Sequence, residues 1–300
     1  MDKKQNHSSA ARKPDWFKQE LPKSKNFART KTILSKNGMH TVCEEAKCPN
    51  IGTCFSENTA TFLIMGPLCS RNCGFCAVAP GAKGQPPDPE EPKKVAIAAQ
   101  EMGLEYIVVT SVSRDDLPDS GAGHFAETIA QIKQVNPEAL VEVLIPDFLG
   151  NKKDLQTVLN SGPDVLNHNL ETVQRLYAQV RPQANYQISL EVLRYTKEYY
   201  GNIPTKSGMI LGMGESRSEI EQTLLDLLNS GCKILTLGQY LRPSRKHWAE
   251  QRYLTPEEFS EWKEIALDMG FYAVSSGPKV RSSYRAKELY QQTYKTREKL

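Results

Sequence analysis

Long apolar runs are missing from this 300-residue chain. The longest, such as Phe62 to Met65 and Ile107 to Val109, fall far short of the ~18 residues a membrane helix needs. No transmembrane span and no membrane partner are expected. The polar stretch Met1 to Lys13 has no apolar segment of the secretory kind, so a cytosolic location is expected. No Walker loop, no Ser–His–Asp order and no RNA- or DNA-binding motif is present, which argues against a nucleic-acid partner. His7, His40, His124 and His247 make no metal-ligand spacing with one another. With 39% hydrophobic and 24% charged residues, disorder, collagen and coiled coil are excluded as the main architecture. A chain this long buries roughly three quarters of its unfolded surface and needs no disulfide or metal staple to fold.

What is present is unevenly distributed. Residues 1–40 hold ten Lys/Arg against three Asp/Glu, and residues 279–300 hold seven against two, although the whole chain is only +3. Both ends are basic and the middle is slightly acidic. An acidic protein is the partner this suits, with a solvated terminus as the alternative. Of seven cysteines, six lie between positions 43 and 76. In a reducing compartment they should not form a disulfide framework. Cys232 stands apart and reads as a small buried hydrophobe.

From Thr59 onward strand and helix alternate. Ala60–Met65, Tyr106–Val112, Leu140–Pro146, Val165–Asn169, Ser207–Met213 and Ile234–Tyr240 are short, apolar and rich in Val, Ile and Leu, as buried parallel strands are. Helices are expected at Pro92–Met102, His124–Val135, Lys153–Ser161, Tyr186–Tyr200, Glu219–Ser230 and Pro256–Met269. Gly103, Gly201, Gly231 and Gly270 follow as C-terminal caps, and Thr255 with Glu258 forms a capping box. Six βα repeats mean a parallel sheet, either a partial barrel or an open doubly wound sheet. In both, the active site belongs at the C-terminal strand ends. Residues 59–274 form this core, with 1–58 and 275–300 as extensions. The five prolines of Pro80–Pro92 lie inside the first βα unit and read as an ordered loop.

The cysteines fall into two triplets. Cys69-Ser-Arg-Asn-Cys73-Gly-Phe-Cys76 directly follows the first strand. Three thiolates on one loop can converge on a soft metal centre. A cubane cluster would keep one iron open for a substrate or cofactor. Structural zinc, the alternative, wants four closed ligands. Cys43-Glu-Glu-Ala-Lys-Cys48-Pro-Asn-Ile-Gly-Thr-Cys54 again supplies three thiolates and no fourth. Zinc or a mixed six-cysteine site are its alternatives, but two adjacent triplets of different spacing suggest two clusters.

The C-x3-C-x2-C loop, with Phe75 before its last cysteine, resembles the signature of the radical S-adenosylmethionine (SAM) superfamily. The second triplet narrows the resemblance to the lipoyl synthase family. Val42-Cys-Glu-Glu-Ala, Cys48-Pro-Asn-Ile, Asn167-His-Asn-Leu-Glu-Thr172, Val180-Arg-Pro182 and Arg281-Ser-Ser-Tyr284 extend it over almost the full chain. The resemblance implies an α/β fold, a partial (β/α)6 parallel barrel of radical SAM type with N- and C-terminal extensions. It implies that Cys69, Cys73 and Cys76 hold a [4Fe–4S] cluster whose open iron takes the amino and carboxylate groups of SAM. It implies an auxiliary [4Fe–4S] cluster on Cys43, Cys48 and Cys54, with Ser283, or else Ser282, as a labile fourth ligand. The implied reaction inserts sulfur from that cluster at C6 and C8 of a protein-bound octanoyl chain, using 5′-deoxyadenosyl radicals made from SAM. The implied partners are an octanoylated lipoyl carrier (a lipoyl domain or the glycine cleavage H protein), a flavodoxin or ferredoxin electron donor, and an iron–sulfur carrier for cluster repair.

Thr110, Ser111, Asn169, Glu171 and Arg181 are the expected SAM contacts beside Phe75. Each has a plainer alternative: strand-end hydroxyls for Thr110 and Ser111, a surface salt bridge for Arg181, a satisfied structural histidine for nearby His168. Ser207-Gly-Met-Ile-Leu-Gly-Met-Gly-Glu215 would pack by the adenine, or be an ordinary strand–helix turn. Gly121-Ala-Gly-His-Phe-Ala126 matches G-x-G-x-x-A but starts too far past its strand to bind a dinucleotide.

Overall fold

In a computed structural model of the protein, residues 13–18, 24–81 and 85–297 are described. The basic residues before position 13 lie outside the described residues. Ten strands form: β1 (His40–Thr41), β2 (Thr61–Ile64), β3 (Leu68–Cys69), β4 (Ala79–Pro80), β5 (Tyr106–Ser111), β6 (Leu140–Leu144), β7 (Val165–Asn167), β8 (Thr205–Leu211), β9 (Ile234–Gln239) and β10 (Ala273–Gly277). The main sheet runs β1-β2-β5-β6-β7-β8-β9-β10. Only β1 is antiparallel, against β2; every other neighbouring pair in it is parallel. All six expected strands are present. The sheet also gains β10, a short run of small and polar residues whose strand pattern is weak, and β10 runs across positions 274 and 275.

Between the strands lie α4 (Glu91–Met102), α5 (Ala122–Val135), α6 (Lys152–Asn160), α8 (Tyr186–Tyr199), α9 (Arg217–Asn229) and α10 (Pro256–Met269). Before them stand α1 (Lys25–Lys36), α2 (Val42–Glu45) and α3 (Ile51–Ser56); the short α7 is Tyr177–Val180 and the final α11 is Ala286–Arg297. The Thr255–Glu258 capping box forms, the Thr255 hydroxyl accepting from Glu258 N at 3.2 Å. Gly103 and Gly270 cap their helices in the left-handed conformation. Gly201 does not. The chain leaves α8 through Tyr200 at φ −134°, because the Tyr200 carbonyl turns to accept from Ile203 N.

The sheet curls. In a flat sheet the four spacings between β5 and β9 would put them roughly 19 Å apart. Here α11 touches β5, β9 and β10 together. It lies across their N-terminal ends, with Leu289 against Ile234 and Ala273 and Tyr290 against Tyr106. Apolar faces of α4 and α5 cover one side, with Phe62, Ile107, Phe125 and Val141 fully buried. Leu224, Leu235, Phe259 and Trp262 form the second core.

The lumen is polar. Lys206 Nζ lies 2.8 and 3.0 Å from the two Glu142 oxygens, across β7, and both side chains are 1% exposed. Tyr106 donates to the same carboxylate at 2.7 Å and Asn167 at 3.0 Å. Such a pair persists because every lone pair is used; losing one member leaves a bare buried charge. Lys206→Met should therefore cost roughly 3–5 kcal/mol in urea unfolding, and adding Glu142→Gln should recover much of it.

Candidate functional site

The Cys69–Cys76 loop springs from β3, held parallel to β4 at Leu68↔Ala79 and Cys69↔Pro80. Cys69 Sγ accepts from Ser113 N at 3.3 Å and Arg71 N at 3.4 Å. Gly74 is pinned from both sides: its N–H donates to Val180 O at 2.8 Å and its carbonyl accepts from Trp248 N at 2.7 Å. The loop is clamped by Arg71, 5% exposed. Its guanidinium grips Asp115 at 2.7 and 2.9 Å and Asp147 at 2.5 and 2.9 Å, two forks from one side chain. Burial opposes charge on Asp147, but Arg71 wins and holds its carboxyl below the usual range. Beyond Asp147 the backbone is left-handed at Phe148, Leu149 and Gly150 in succession (φ 46°, 53° and 80°). Non-glycine residues there store about 1–3 kcal/mol each.

The three thiols of this loop sit within electrostatic reach of one another. Burial raises Cys73 and pushes Cys76 up to about 12, with the neighbouring thiols adding to the effect. A bound metal centre reverses this, since a coordinating thiol is deprotonated outright. Phe75 packs on the apolar cluster that also holds Trp248.

Facing the loop, the C-terminal ends of β5 and β7 and the C-cap of α7 carry polar atoms buried without a hydrogen-bond partner: Ser111 Oγ, His168 Nε2, Asn169 Oδ1 and Arg181 Nε. Each such group costs about 1–3 kcal/mol, so several together fit a polar ligand such as SAM. Arg181 uses Nη1 on the carbonyls of Asn169 and Leu170, both at 3.0 Å, which aims the rest of its fork inward. It acts electrostatically on Cys73 and Glu171. Arg181 is thus a buried fork, 9% exposed, and not a surface salt bridge. Glu171 sits at φ 66° and accepts from Asn169 Nδ2 at 3.0 Å. Thr110 spends its proton on Leu144 O at 2.9 Å. His168 Nδ1 lies 2.9 Å from Ile145 O. Burial, then Arg181, lowers its pKa to about 4. Glu215 binds the backbone N–H groups of Gly212 and Met213, so that stretch is a braced turn. Cys232 is fully buried, as expected.

The second triplet forms its own group. Cys43 opens on α2, whose N-cap Thr41 accepts from Glu44 N, and Cys54 lies on α3. Burial, with the neighbouring Cys48 adding to it and hydrogen bonds opposing it, pushes Cys43 up to about 12 and Cys54 up to about 11. All three cysteines line one cavity of about 360 Å³, together with Tyr106, Arg281, Ser283 and Tyr284. Ser283 is on that wall; Ser282 is not among its described lining residues. Asn50 Nδ2 donates to Lys279 O at 2.6 Å, tying the cysteine segment to the C-terminal strap. Among the described residues no three His, Cys, Asp or Glu groups close on a single ion.

Sequence reading had no role for Arg71, Asp115, Asp147, Asn50 or Tyr106. Position could have flagged Asp115 and Asp147, which both follow a strand's C-terminal end. Arg71→Met, leaving Asp147 uncompensated, should cost roughly 3–5 kcal/mol by chemical denaturation. His168 is held neutral, so the unfolded chain binds the extra proton between about pH 6.5 and 4. Stability should climb with pH across that window, and His168→Gln should flatten the climb.

Residues 63–227 match the Radical SAM superfamily, and residues 1–48 match the N-terminal domain of lipoyl synthase, a segment that includes Cys43 and Cys48. The lipoyl synthase of Alkaliphilus metalliredigens is 53% identical over 277 residues, covering 92% of this chain and 95% of the relative. That of Chlorobaculum tepidum is 51% identical, covering 93% and 96%. Methylornithine synthase has a similar fold, at TM-score 0.55 and 14% identity over 83% of this chain and 74% of its own. Streptococcus suis SuiB bound to S-adenosylmethionine gives the same TM-score at 11% identity over 73% and 51%. With this kinship running through both cysteine triplets and the barrel strands, the chain belongs to the lipoyl synthase family of radical SAM enzymes.

Proposed function

We propose that this chain inserts sulfur at C6 and C8 of a protein-bound octanoyl chain with two separately held [4Fe–4S] clusters. Cys69, Cys73 and Cys76 hold the first; Cys43, Cys48, Cys54 and Ser283 hold the second. The observation that carries this reading is the pair of distinct thiol groups, one at the C-terminal strand ends and one in a cavity shared with Ser283. When bound, the first cluster with SAM supplies the 5′-deoxyadenosyl radical, and the second supplies sulfur.

The protein's part is position, charge and exclusion of water. Arg71 fixes the cysteine loop against Asp115 and Asp147. Arg181 offers a fork donor to the SAM carboxylate, while Thr110, Ser111, Asn169 and Glu171 offer acceptors and donors to its amino and ribose groups. Phe75 and Trp248 pack on the second core and hold the loop against it. A serine oxygen is a poor match for iron beside three thiolates, so Ser283 is a ligand that can let go of a cluster being consumed. Residues 1–58 and 275–300 are then the extensions that bring the second site to the core, 59–274. The partners are an octanoylated lipoyl domain or glycine cleavage H protein, a flavodoxin or ferredoxin donor, and an iron–sulfur carrier that restores the spent cluster. Lys287 and Arg285 on the cavity wall suit an acidic carrier. No helix among the described residues is long and apolar enough to cross a membrane, and a cytoplasmic setting fits thiolate clusters.

Anaerobic reconstitution of the wild type should give about eight irons per chain, with matching acid-labile sulfide. A Cys43/Cys48/Cys54→Ala variant should give about four. About four in both proteins would remove the second cluster and with it the sulfur source.

A further inference from the structure

In the Arg281-Ser-Ser-Tyr284 run the serine has a role above and the arginine has none. Val280 and Arg281 press into the barrel at Gly238 on β9. A Cβ at Gly238 would stand 2.1 Å from the Val280 carbonyl oxygen and 3.2 Å from Arg281 Nη1, so glycine alone admits the strap at this depth. Arg281 also lines the cavity of Cys43, Cys48 and Cys54. The one side-chain hydrogen bond of Arg281 among the described residues runs from Nη1 to its neighbour's carbonyl, Val280 O, at 2.6 Å. Two ionisable groups lie within its electrostatic reach, Cys48 in the cavity and Glu171 at the SAM end. The fully buried cations described above each grip a carboxylate or a set of carbonyls: Lys206 on Glu142, Arg71 on two aspartates, Arg181 on Asn169 and Leu170; Arg281 is half-buried and has no such grip among the described residues. A half-buried guanidinium without such a grip keeps its donors free for negative charge that arrives beside it.

We propose that Arg281 is the charge-compensating residue of the second cluster, facing the Cys43, Cys48 and Cys54 thiolates from the lumen side and linking that site to Glu171 in the SAM pocket. This rests on the reading that these cysteines hold a cluster. Reduction adds an electron to a centre already negative through its thiolates. A fixed cation beside it stabilises the reduced form and raises the potential. Ser283, two residues on, is carried by the same strap, so the cation and the labile ligand arrive together.

The test uses the full chain in a Cys69/Cys73/Cys76→Ala background, which leaves only the second site. About four irons per chain in this parent establish the cluster; their absence overturns both the cluster reading and the role of Arg281. With iron present, the midpoint potential is followed by EPR-monitored redox titration. Arg281→Gln should keep its iron and shift the potential to more negative values, and Arg281→Lys should return it toward the parent. An unchanged potential in Arg281→Gln, or a shift that Arg281→Lys does not reverse, overturns the proposal. Should Arg281→Gln lose its iron, retention in Arg281→Lys supports charge compensation. Loss in both overturns it and makes Arg281 an anchor of the strap only.

Discussion

Buried charge must be matched, and at the upper end of this barrel the matching is done by one guanidinium. Arg71 stands between the first two cysteines of its loop and is gripped by Asp115 and Asp147, which follow β5 and β6. A loop of eight residues rich in small and polar side chains has little apolar surface of its own to hold it in place. The two forks supply that hold from strand ends that are themselves fixed by the parallel ladder. The left-handed run Phe148–Gly150 sits directly beyond Asp147, so the strain there is tolerated where it presents a carboxylate to the loop.

The same matching recurs down the lumen. Glu142 and Lys206 neutralise each other below the strand ends with Tyr106 and Asn167 completing the shell. Tyr106 also stands on the wall of the second cysteine cavity. One phenol therefore belongs both to the barrel's internal ion pair and to the surroundings of the second cysteine triplet. The two cysteine groups are far apart in role but share a single polar interior.

Much of this was readable from the chain alone. The six Val/Ile/Leu-rich strands and their helices follow from hydrophobic period, which is local. Both triplets follow from spacing. Ser283 is favoured over Ser282 in the sequence only through the resemblance; in the fold Ser283, and not Ser282, lines the cavity of the three cysteines. β10 escaped notice because Ala273-Val-Ser-Ser-Gly277 carries too little apolar surface to announce a strand; it is made by its neighbour β9, not by its own residues. Gly201 was misread because a glycine after a helix signals a cap only when the backbone needs φ > 0, and here Tyr200 turns the chain first. Arg71, Asn50 and Gly238 act through partners 42 to 229 residues away. No window on the sequence contains both members of such pairs.

The main sheet does not close on itself: β1 and β10 are its two ends, and the strap 279–285 crosses near the gap. The barrel's girth along this seam is therefore set by side chains and by single bonds such as Asn50 to Lys279, and by no ladder of strand hydrogen bonds. Widening the seam breaks no sheet. A long acyl arm borne on another protein thus meets a container with a built-in slit, beside which stand Ser283 and the second cysteine triplet.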